Sequence, residues 1–154
     1  MKQILLNTLF LMIVQVAIGQ KKALTFQEGE TKGLTVEYLD KKYGNALDSD
    51  ATKAVFGNRS EEFINAYKLL LTDLGSFLKK ENFVLTKPTR VIHRIYFKKS
   101  GEIDHYLINL APSGLTDKQQ KQFLTILNKF AKTHKISITG NKDFAQCGPA
   151  VYQN

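Results

Sequence analysis

The fold of this 154-residue chain is decided by residues 90–110, RVIHRIYFKKSGEIDHYLINL. Apolar and polar residues alternate on both sides of Ser100-Gly101, which predicts two antiparallel strands joined by a tight turn. We expect one face of this hairpin to meet helices and the other to meet solvent or a further strand. The first strand carries Val91, His93, Ile95 and Phe97 on one face and Ile92, Arg94 and Tyr96 on the other.

The length of the turn sets whether the two hairpin histidines can meet. A three-residue loop puts His93 and His105 on one face as diagonal neighbours, and a two-residue loop at Ser100-Gly101 puts them on opposite faces. Both registers fit the sequence. In the same-face register, these histidines and Cys147 would offer a metal or catalytic Cys-His site. Ordinary structural contacts are the alternative role of the histidines.

Two amphipathic helices lie on either side of the hairpin in the sequence. From about residue 61 to 80, apolar residues recur at helical spacing behind Ser60, which we expect to cap the helix. Thr116 and Gln119 form a capping box that opens a second helix at about residues 117–133. The polar face of this second helix carries Lys118, Lys121, Lys129 and Lys132.

Weaker patterns describe the rest of the chain. Residues 20–33 are predicted as a mobile lead-in with a short strand at residues 24–26, and residues 34–43 as a short helix. Residues 136–139 are predicted as a strand. Residues 144–152 are predicted as a further extended segment that carries the single cysteine.

The order helix, strand, strand, helix, strand predicts an α+β fold. We expect a small, mostly antiparallel sheet made of the hairpin at about residues 90–110 and a C-terminal strand. The two main helices, at about 61–80 and 117–133, are expected on one face of that sheet. A chain of this size can bury roughly two thirds of its unfolded surface, so it needs neither metal ions nor disulfides for a core.

Residues 94–103, RIYFKKSGEI, resemble the hairpin of the TonB C-terminal domain family. In that family an apolar strand, a short turn with glycine and a second strand precede a helix and a last strand, and the similar order here covers about residues 88–140. The resemblance implies a fold of this kind and the binding of envelope proteins. It does not imply energy transduction, because the Tyr-Pro pair before the hairpin, the proline-rich spacer and the retained membrane anchor are missing.

Residues 1–19 have the pattern of an export signal. Lys2 precedes an apolar stretch at residues 4–18, and small residues at Ala17 and Gly19 predict cleavage after Gly19. The stretch is shorter than the roughly 20 apolar residues of a spanning helix, which would be the alternative. Cleavage leaves one domain, residues 20–154, in the periplasm or secreted, with no transmembrane segment.

The basic composition favours loose electrostatic attraction over nucleic-acid recognition. The chain has 22 Lys plus Arg against 14 Asp plus Glu, and arginine occurs only at Arg59, Arg90 and Arg94. Arginine is the residue favoured for two-pronged phosphate recognition, whereas lysine-rich surfaces serve solubility or attraction to anionic surfaces. We therefore expect no nucleic-acid partner.

The sequence contains no motif for catalysis, metal binding or a cofactor. It lacks Gly-x-Ser-x-Gly, a phosphate-binding glycine-rich loop, His-Glu-x-x-His and paired cysteines. Cys147 is expected to be a small buried side chain, with a reactive thiol or an intermolecular disulfide as alternatives. Asn58-Arg59-Ser60 fits the N-glycosylation pattern, which matters only if the host glycosylates exported proteins.

These observations favour an exported, non-enzymatic protein-binding domain of the bacterial envelope. An edge strand that pairs with a partner's strand is the expected contact, with Arg94, Tyr96, Tyr106 and the last segment, residues 144–152, as candidates. One alternative is a small exported enzyme that uses Cys147 as nucleophile with a histidine base. The other is a lysine-rich binder of anionic envelope surfaces, for which Lys121 and Lys129 are the candidate residues.

Overall fold

The computed structural model of the protein describes residues 22–153, so the predicted signal at residues 1–19 lies outside the described residues. The helices are α1 (Phe26–Thr31), α2 (Val36–Asp40), α3 (Ser60–Lys80) and α4 (Asp117–Thr133). The strands are β1 (Ala23–Thr25), β2 (Gly44–Asn45), β3 (Thr89–Phe97), β4 (Ile103–Asn109) and β5 (Phe144–Tyr152).

The five strands form one mixed sheet in the order β1-β4-β3-β5-β2. The three central strands are antiparallel, whereas β1 pairs in parallel with β4 and β2 in parallel with β5. The α+β class is confirmed, but the expectation of a mostly antiparallel sheet is wrong. Both edge strands come from the N-terminal part of the chain, and with three and two residues they are too short to show alternation.

The two long helices pack on one face of the sheet, as predicted. Phe63 and Leu74 of α3 and Phe130 of α4 share a core with Ile95 and Phe97 of β3, and all five side chains are buried. Each such side chain stabilises the fold by roughly 1.5–3 kcal/mol when it leaves water. We call this side of the sheet the helix face and the opposite side the second face.

The hairpin turn has three residues. The Lys98 amide donates to the Glu102 carbonyl at 2.9 Å, and the Gly101 amide donates to the Lys98 carbonyl at 2.8 Å. Gly101 has a φ of +89°, and a Cβ at this position would lie 2.5 Å from the Ile136 carbonyl oxygen. Glycine is therefore required here, both by the positive φ and by the close approach of the Ile136 carbonyl.

A β-bulge follows the turn and decides where the histidines point. The pairing of β3 with β4 shifts between Tyr96 and Phe97, which makes Asp104 an extra residue of β4. The extra residue reverses the face of every side chain that follows it. His93 and His105 therefore lie on opposite faces, although the loop has the length that would otherwise put them together.

Residues 22–46 form a strap that runs from one edge of the sheet to the other across the second face. Leu24, Leu39 and Tyr43 of the strap form a second buried cluster with Tyr96 and Leu107 of the sheet. The predicted short strand and short helix are confirmed as β1 and α2. The predicted mobile lead-in is wrong for residues 22–31, because β1 and α1 occupy them, and a capping box of Thr25 and Glu28 begins α1.

Two further local predictions are wrong. Ser60 is the first residue of α3 and does not cap it, because the 3-10 turn at Gly57–Arg59 runs directly into the helix. Residues 136–139 form no strand, although Ile136 and Ile138 are buried in the core. Their apolar pattern reflects burial without strand pairing, and β5 is the C-terminal strand.

Candidate functional site

The second face presents its side chains in rows that cross β4, β3 and β5. Neighbours in one row have Cβ atoms about 4.5–5.5 Å apart. The strap covers the first row and part of the second, whereas the last two rows are open. In order, the rows are His105–Tyr96–Ala145, Leu107–Arg94–Cys147, Asn109–Ile92–Pro149 and Arg90–Val151.

A first polar contact fixes the strap to the sheet through Asp40, the last residue of α2. Its carboxylate accepts hydrogen bonds from Arg94 Nε at 3.1 Å and from the Tyr96 hydroxyl at 3.0 Å, and it also pairs with Arg94 Nη2. Burial raises the pKa of Tyr96 to about 12, so this hydroxyl stays neutral. The Arg94 side chain is only 16% exposed and is committed to the strap.

A second polar contact uses the bulge residue Asp104. The Tyr43 hydroxyl donates to Asp104 Oδ2 at 2.5 Å, and the Tyr43 ring meets the Tyr96 ring edge to face at 5.1 Å. Burial and the hydrogen bond to Asp104 raise the pKa of Tyr43 above its ordinary value. The bulge thus gives β4 an extra carboxylate on the side where the strap ends.

The rest of the second face is covered neither by the strap nor by a helix within residues 22–153. Val151 is 61% exposed, and Cys147 and Pro149 are exposed beside it. Arg90 is exposed and makes no ion pair within residues 22–153. We call this surface the open face and define it as Arg90, Ile92, Asn109, Cys147, Pro149 and Val151.

A groove of about 310 Å³ adjoins the open face at Val151. It runs between α3 and the end of β5, and Gly75 lines it beside the Tyr152 ring. Leu71 and Ala150 add apolar surface to its walls. The groove extends the open face around the end of the sheet towards α3.

Side-chain and backbone groups hydrogen-bond to both edge strands of the sheet. The Asn128 side chain bonds both backbone groups of Ala23 in β1, at 3.0 and 2.8 Å. The amides of Val55 and Phe56 donate to backbone carbonyls at the β2 edge. Beyond Ala145, β5 has no outer partner strand within residues 22–153, but Pro149 interrupts its row of donors.

Pro149 weighs against the predicted contact through an edge strand. The Ala145 carbonyl points outward to Ala46, so by alternation the backbone groups of Cys147, Pro149 and Val151 also point outward. Proline has no N–H, and its ring stands where an added strand would approach. Such a proline is a common protection of a free edge, and the face of β5 is therefore a better contact surface than its edge.

His93 lies inside the core on the helix face. Its Nδ1 is 2.9 Å from the Tyr106 hydroxyl and its Nε2 is 3.0 Å from the Tyr152 hydroxyl. A neutral imidazole has one donor and one acceptor, so one tyrosine donates to the ring and the other accepts from it. Burial lowers the pKa of His93 to about 3, which keeps the ring neutral. The hydroxyl of Tyr67 is also buried but has no hydrogen-bond partner within residues 22–153.

The structure does not bring Cys147 and a histidine together. Cys147 is exposed, so the expectation of a buried side chain is wrong, and the reason is that alternation along β5 turns it to the open face. His93 lies on the opposite face with both nitrogens engaged. His105 stands in another row, with β3 between its strand and that of Cys147.

Of the three candidate hairpin residues, two are inaccessible. Tyr96 and Tyr106 have no exposed surface, so the prediction that they contribute to a contact surface is wrong. Tyr96 lies beneath the strap, and Tyr106 faces the helices. Arg94 is on the second face but is bound to Asp40, which leaves it at the border of the open face.

The two candidate lysines of α4 differ in their surroundings. Lys129 is ion-paired with Glu81 at the end of α3, at 2.5 Å. Lys121 is exposed and makes no ion pair within the described part of the chain. They therefore do not act as one cluster of free charges.

Residues 22–153 contain neither a group of three or more His, Cys, Asp or Glu side chains that could hold a metal ion nor a helix long and apolar enough to cross a membrane.

The sequence pointed to the last segment as a candidate contact, but to neither Pro149 nor Val151 individually, and it did not point to Ile92. Alternation in β3 and β5 was a usable signal, because both strands have a face without helical cover. What it could not show was that the strap stops after the second row. Arg90 could have been found by its type, since it is one of three arginines in the chain.

No family model matches the chain, and comparisons with curated proteins and with solved structures found no match either.

Proposed function

We propose that this chain is an exported, non-enzymatic protein-binding domain of the bacterial envelope, and that its open face contacts the partner. The observation that carries the proposal is the apolar set of Ile92, Pro149 and Val151 on adjacent strands, of which Pro149 and Val151 are exposed and Ile92 is half-buried. Beside them lies Arg90, which makes no ion pair within residues 22–153. Contiguous exposed apolar side chains with a polar rim are typical of interaction sites. The strands below them are held by the full helix-face core, so the surface is rigid before binding.

The chemistry of the open face indicates the kind of partner. Ile92, Pro149 and Val151 offer apolar area without hydrogen-bonding groups, which suits an apolar protein surface. Arg90 offers a planar, always charged group at the rim, and arginine is enriched in protein interfaces. We therefore expect a partner that presents apolar side chains with an Asp or Glu placed for Arg90.

Export rests on the sequence. The predicted signal ends at Gly19, and every described helix and strand lies after it, so cleavage would leave all of them whole. The order hairpin, helix, strand is similar to the order of elements in the TonB C-terminal domain family. This resemblance implies envelope proteins as partners. We place the contact on the open face and not on a strand edge, because Pro149 obstructs the free edge of β5.

Photo-crosslinking from Cys147 tests the proposal. A short thiol-linked photo-crosslinker is attached to Cys147, which is the single cysteine and lies in the open face. In envelope preparations we expect one reproducible protein adduct, which Arg90→Glu reduces strongly. The matched control moves the thiol to α4, as Thr125→Cys in a Cys147→Ser background, and should not give that adduct.

The same experiment can contradict the proposal. An adduct pattern that is identical from positions 147 and 125, and unchanged by Arg90→Glu, would mean that the open face is no more a contact surface than the outer side of α4.

A further inference from the structure

A second surface of the molecule is a groove of about 410 Å³ between the start of the strap and the end of α4. Its charged lining is Lys22 on one wall and Lys132 and Lys135 on the other, with Glu102 as the single carboxylate. We call it the basic groove. It lies at the opposite end of α4 from Lys118 and Lys121, and it is separate from the open face.

The three lysines have no carboxylate partners within residues 22–153. The Nζ of Lys22 donates to the Ile103 carbonyl at 2.7 Å, which orders this side chain in the wall. Lys132 and Lys135 are exposed and make no ion pair with another described residue. Glu102 pairs with Lys98 across 4.0 Å and stands opposite Lys135 in an isolated antiparallel bridge, so it offsets at most one of the three positive charges.

The charges of the groove leave a net positive field. The C-terminal end of α4 contributes roughly half a negative charge, and Glu102 contributes one more. Three ammonium groups outweigh both. Like charges held near one another repel, and an anion bound between them would relieve that repulsion.

We propose that the basic groove binds a phosphoryl group. Lysine acts on phosphate as a point charge, whereas arginine is favoured for planar, two-pronged pairing with carboxylates, and no arginine lines this groove. Its size suits a phosphate together with the group that carries it. The wall formed by His134, stacked on Phe130 with 4.1 Å between ring centroids, gives the carrier a flat surface to contact.

This site differs from the lysine surface that the sequence predicts. That expectation names Lys121 and Lys129, but Lys129 is paired with Glu81. In the structure, the lysines that converge are Lys22, Lys132 and Lys135, which come from two segments about 110 residues apart in the chain. Folding brings them together, and no helical spacing reveals it.

Binding of the purified protein to inorganic phosphate and to vesicles tests the proposal. One arm is calorimetric titration with inorganic phosphate, and the other is co-sedimentation with phosphatidylglycerol or phosphatidylcholine vesicles. The groove variant is Lys132→Gln with Lys135→Gln. The matched control is Lys118→Gln with Lys121→Gln, which removes the same charge at the other end of α4 and leaves the groove intact.

We expect the groove variant to weaken binding about tenfold or more and the control to change it by about twofold or less. Groove-dependent binding of inorganic phosphate identifies a free phosphate or a soluble phosphate ester as the source. Groove-dependent binding of phosphatidylglycerol vesicles, with no binding of inorganic phosphate, identifies a lipid headgroup as the source. Equal loss in both variants, or no binding in either arm at about 1 mM phosphate and low salt, would overturn the proposal.

Discussion

The two faces of the central sheet bury their side chains by different means. On the helix face, α3 and α4 cover the strands fully, and even the polar ring of His93 has both nitrogens bonded inside the core. On the second face, the strap covers only the first rows and is fixed by polar contacts at Asp40 and Asp104. The remaining rows face solvent.

We therefore expect side chains on the helix face to determine stability and side chains on the open face of the same strands to bind the partner. In β3, Val91 and Ile95 point into the core, whereas Arg90 and Ile92 point to the open face. One step along the strand therefore separates a position that controls unfolding from one that we expect to control binding. Substitutions on the two faces, and on the strap between them, test this division.

The largest expected effect is on the helix face. Phe63 is fully buried, with its ring stacked 4.9 Å from that of Phe56. Phe63→Ala removes most of that buried surface and leaves a cavity, so we expect the free energy of unfolding to fall by about 3–5 kcal/mol. The control is Leu69→Ala on the same helix, where the side chain is 59% exposed and the expected change is within about 0.5 kcal/mol. Urea unfolding measures both, and similar losses in the two variants would contradict the helix-face account.

The next effect is a pH dependence from His93. Its pKa is about 3 in the folded protein, well below the ordinary value of 6.5, so below pH 6.5 the unfolded chain binds a proton that the folded chain does not. Stability is therefore full above pH 6.5 and is lost as the pH falls towards 3, with a limiting slope of about 1.4 kcal/mol per pH unit.

Urea unfolding between pH 4.5 and 7 measures this slope. This pH range lies above the ordinary pKa values of Asp and Glu side chains. His134→Gln should retain it, because that change leaves His93 in place, and His93→Gln should lose most of it. Burial also lowers the pKa of His105, which contributes the remainder. An NMR titration gives an independent reading, and a His93 ring that titrates near its ordinary pKa would contradict its burial as a neutral group.

A smaller effect is expected at the strap. Asp40→Asn keeps the size of the side chain but removes the charge that holds Arg94 and the Tyr96 hydroxyl, and we expect a loss of about 1 kcal/mol. Hydrogen exchange should rise in α2 and β2 before it rises in α3, because the strap opens locally. Glu37→Gln, which breaks only the exposed pair with Lys41, is the control and should leave exchange unchanged. Uniform exchange changes across the protein would mean that the strap does not open as a unit.

The smallest effect on stability is expected on the open face. Val151→Ser removes a side chain that is 61% exposed, so the free energy of unfolding should change by no more than about 0.5 kcal/mol. Partner binding, measured as the yield of the Cys147 photo-adduct, should fall nonetheless. An unchanged yield would remove Val151 from the contact surface.

The helix face could be predicted from sequence because its signals are strong and local. The apolar spacing of residues 61–80, the capping box at Thr116 and the alternation in residues 90–110 each report burial directly. The capping box is confirmed, with the Gln119 amide 3.3 Å from the Thr116 hydroxyl.

The second face could not be predicted, because it depends on long-range pairing. β1 and β2 have three and two residues, and their parallel partners lie about 80 to 100 residues further along the chain. The bulge at Asp104 separates His93 from His105, and nothing in the local sequence distinguishes a bulge from a regular strand. The exposure of Cys147 follows from where the strap ends, which only the folded chain shows.

The alkylation rate of Cys147 tests most directly whether the open face is a contact surface. A membrane-impermeant maleimide is applied to intact cells with a permeable outer envelope and to the purified protein. We predict rapid alkylation of the purified protein, slow alkylation in cells, and a return to the rapid rate in cells that carry Arg90→Glu. Equal rates in cells and in the purified protein would show that the open face is bare where the protein works, and would contradict the account.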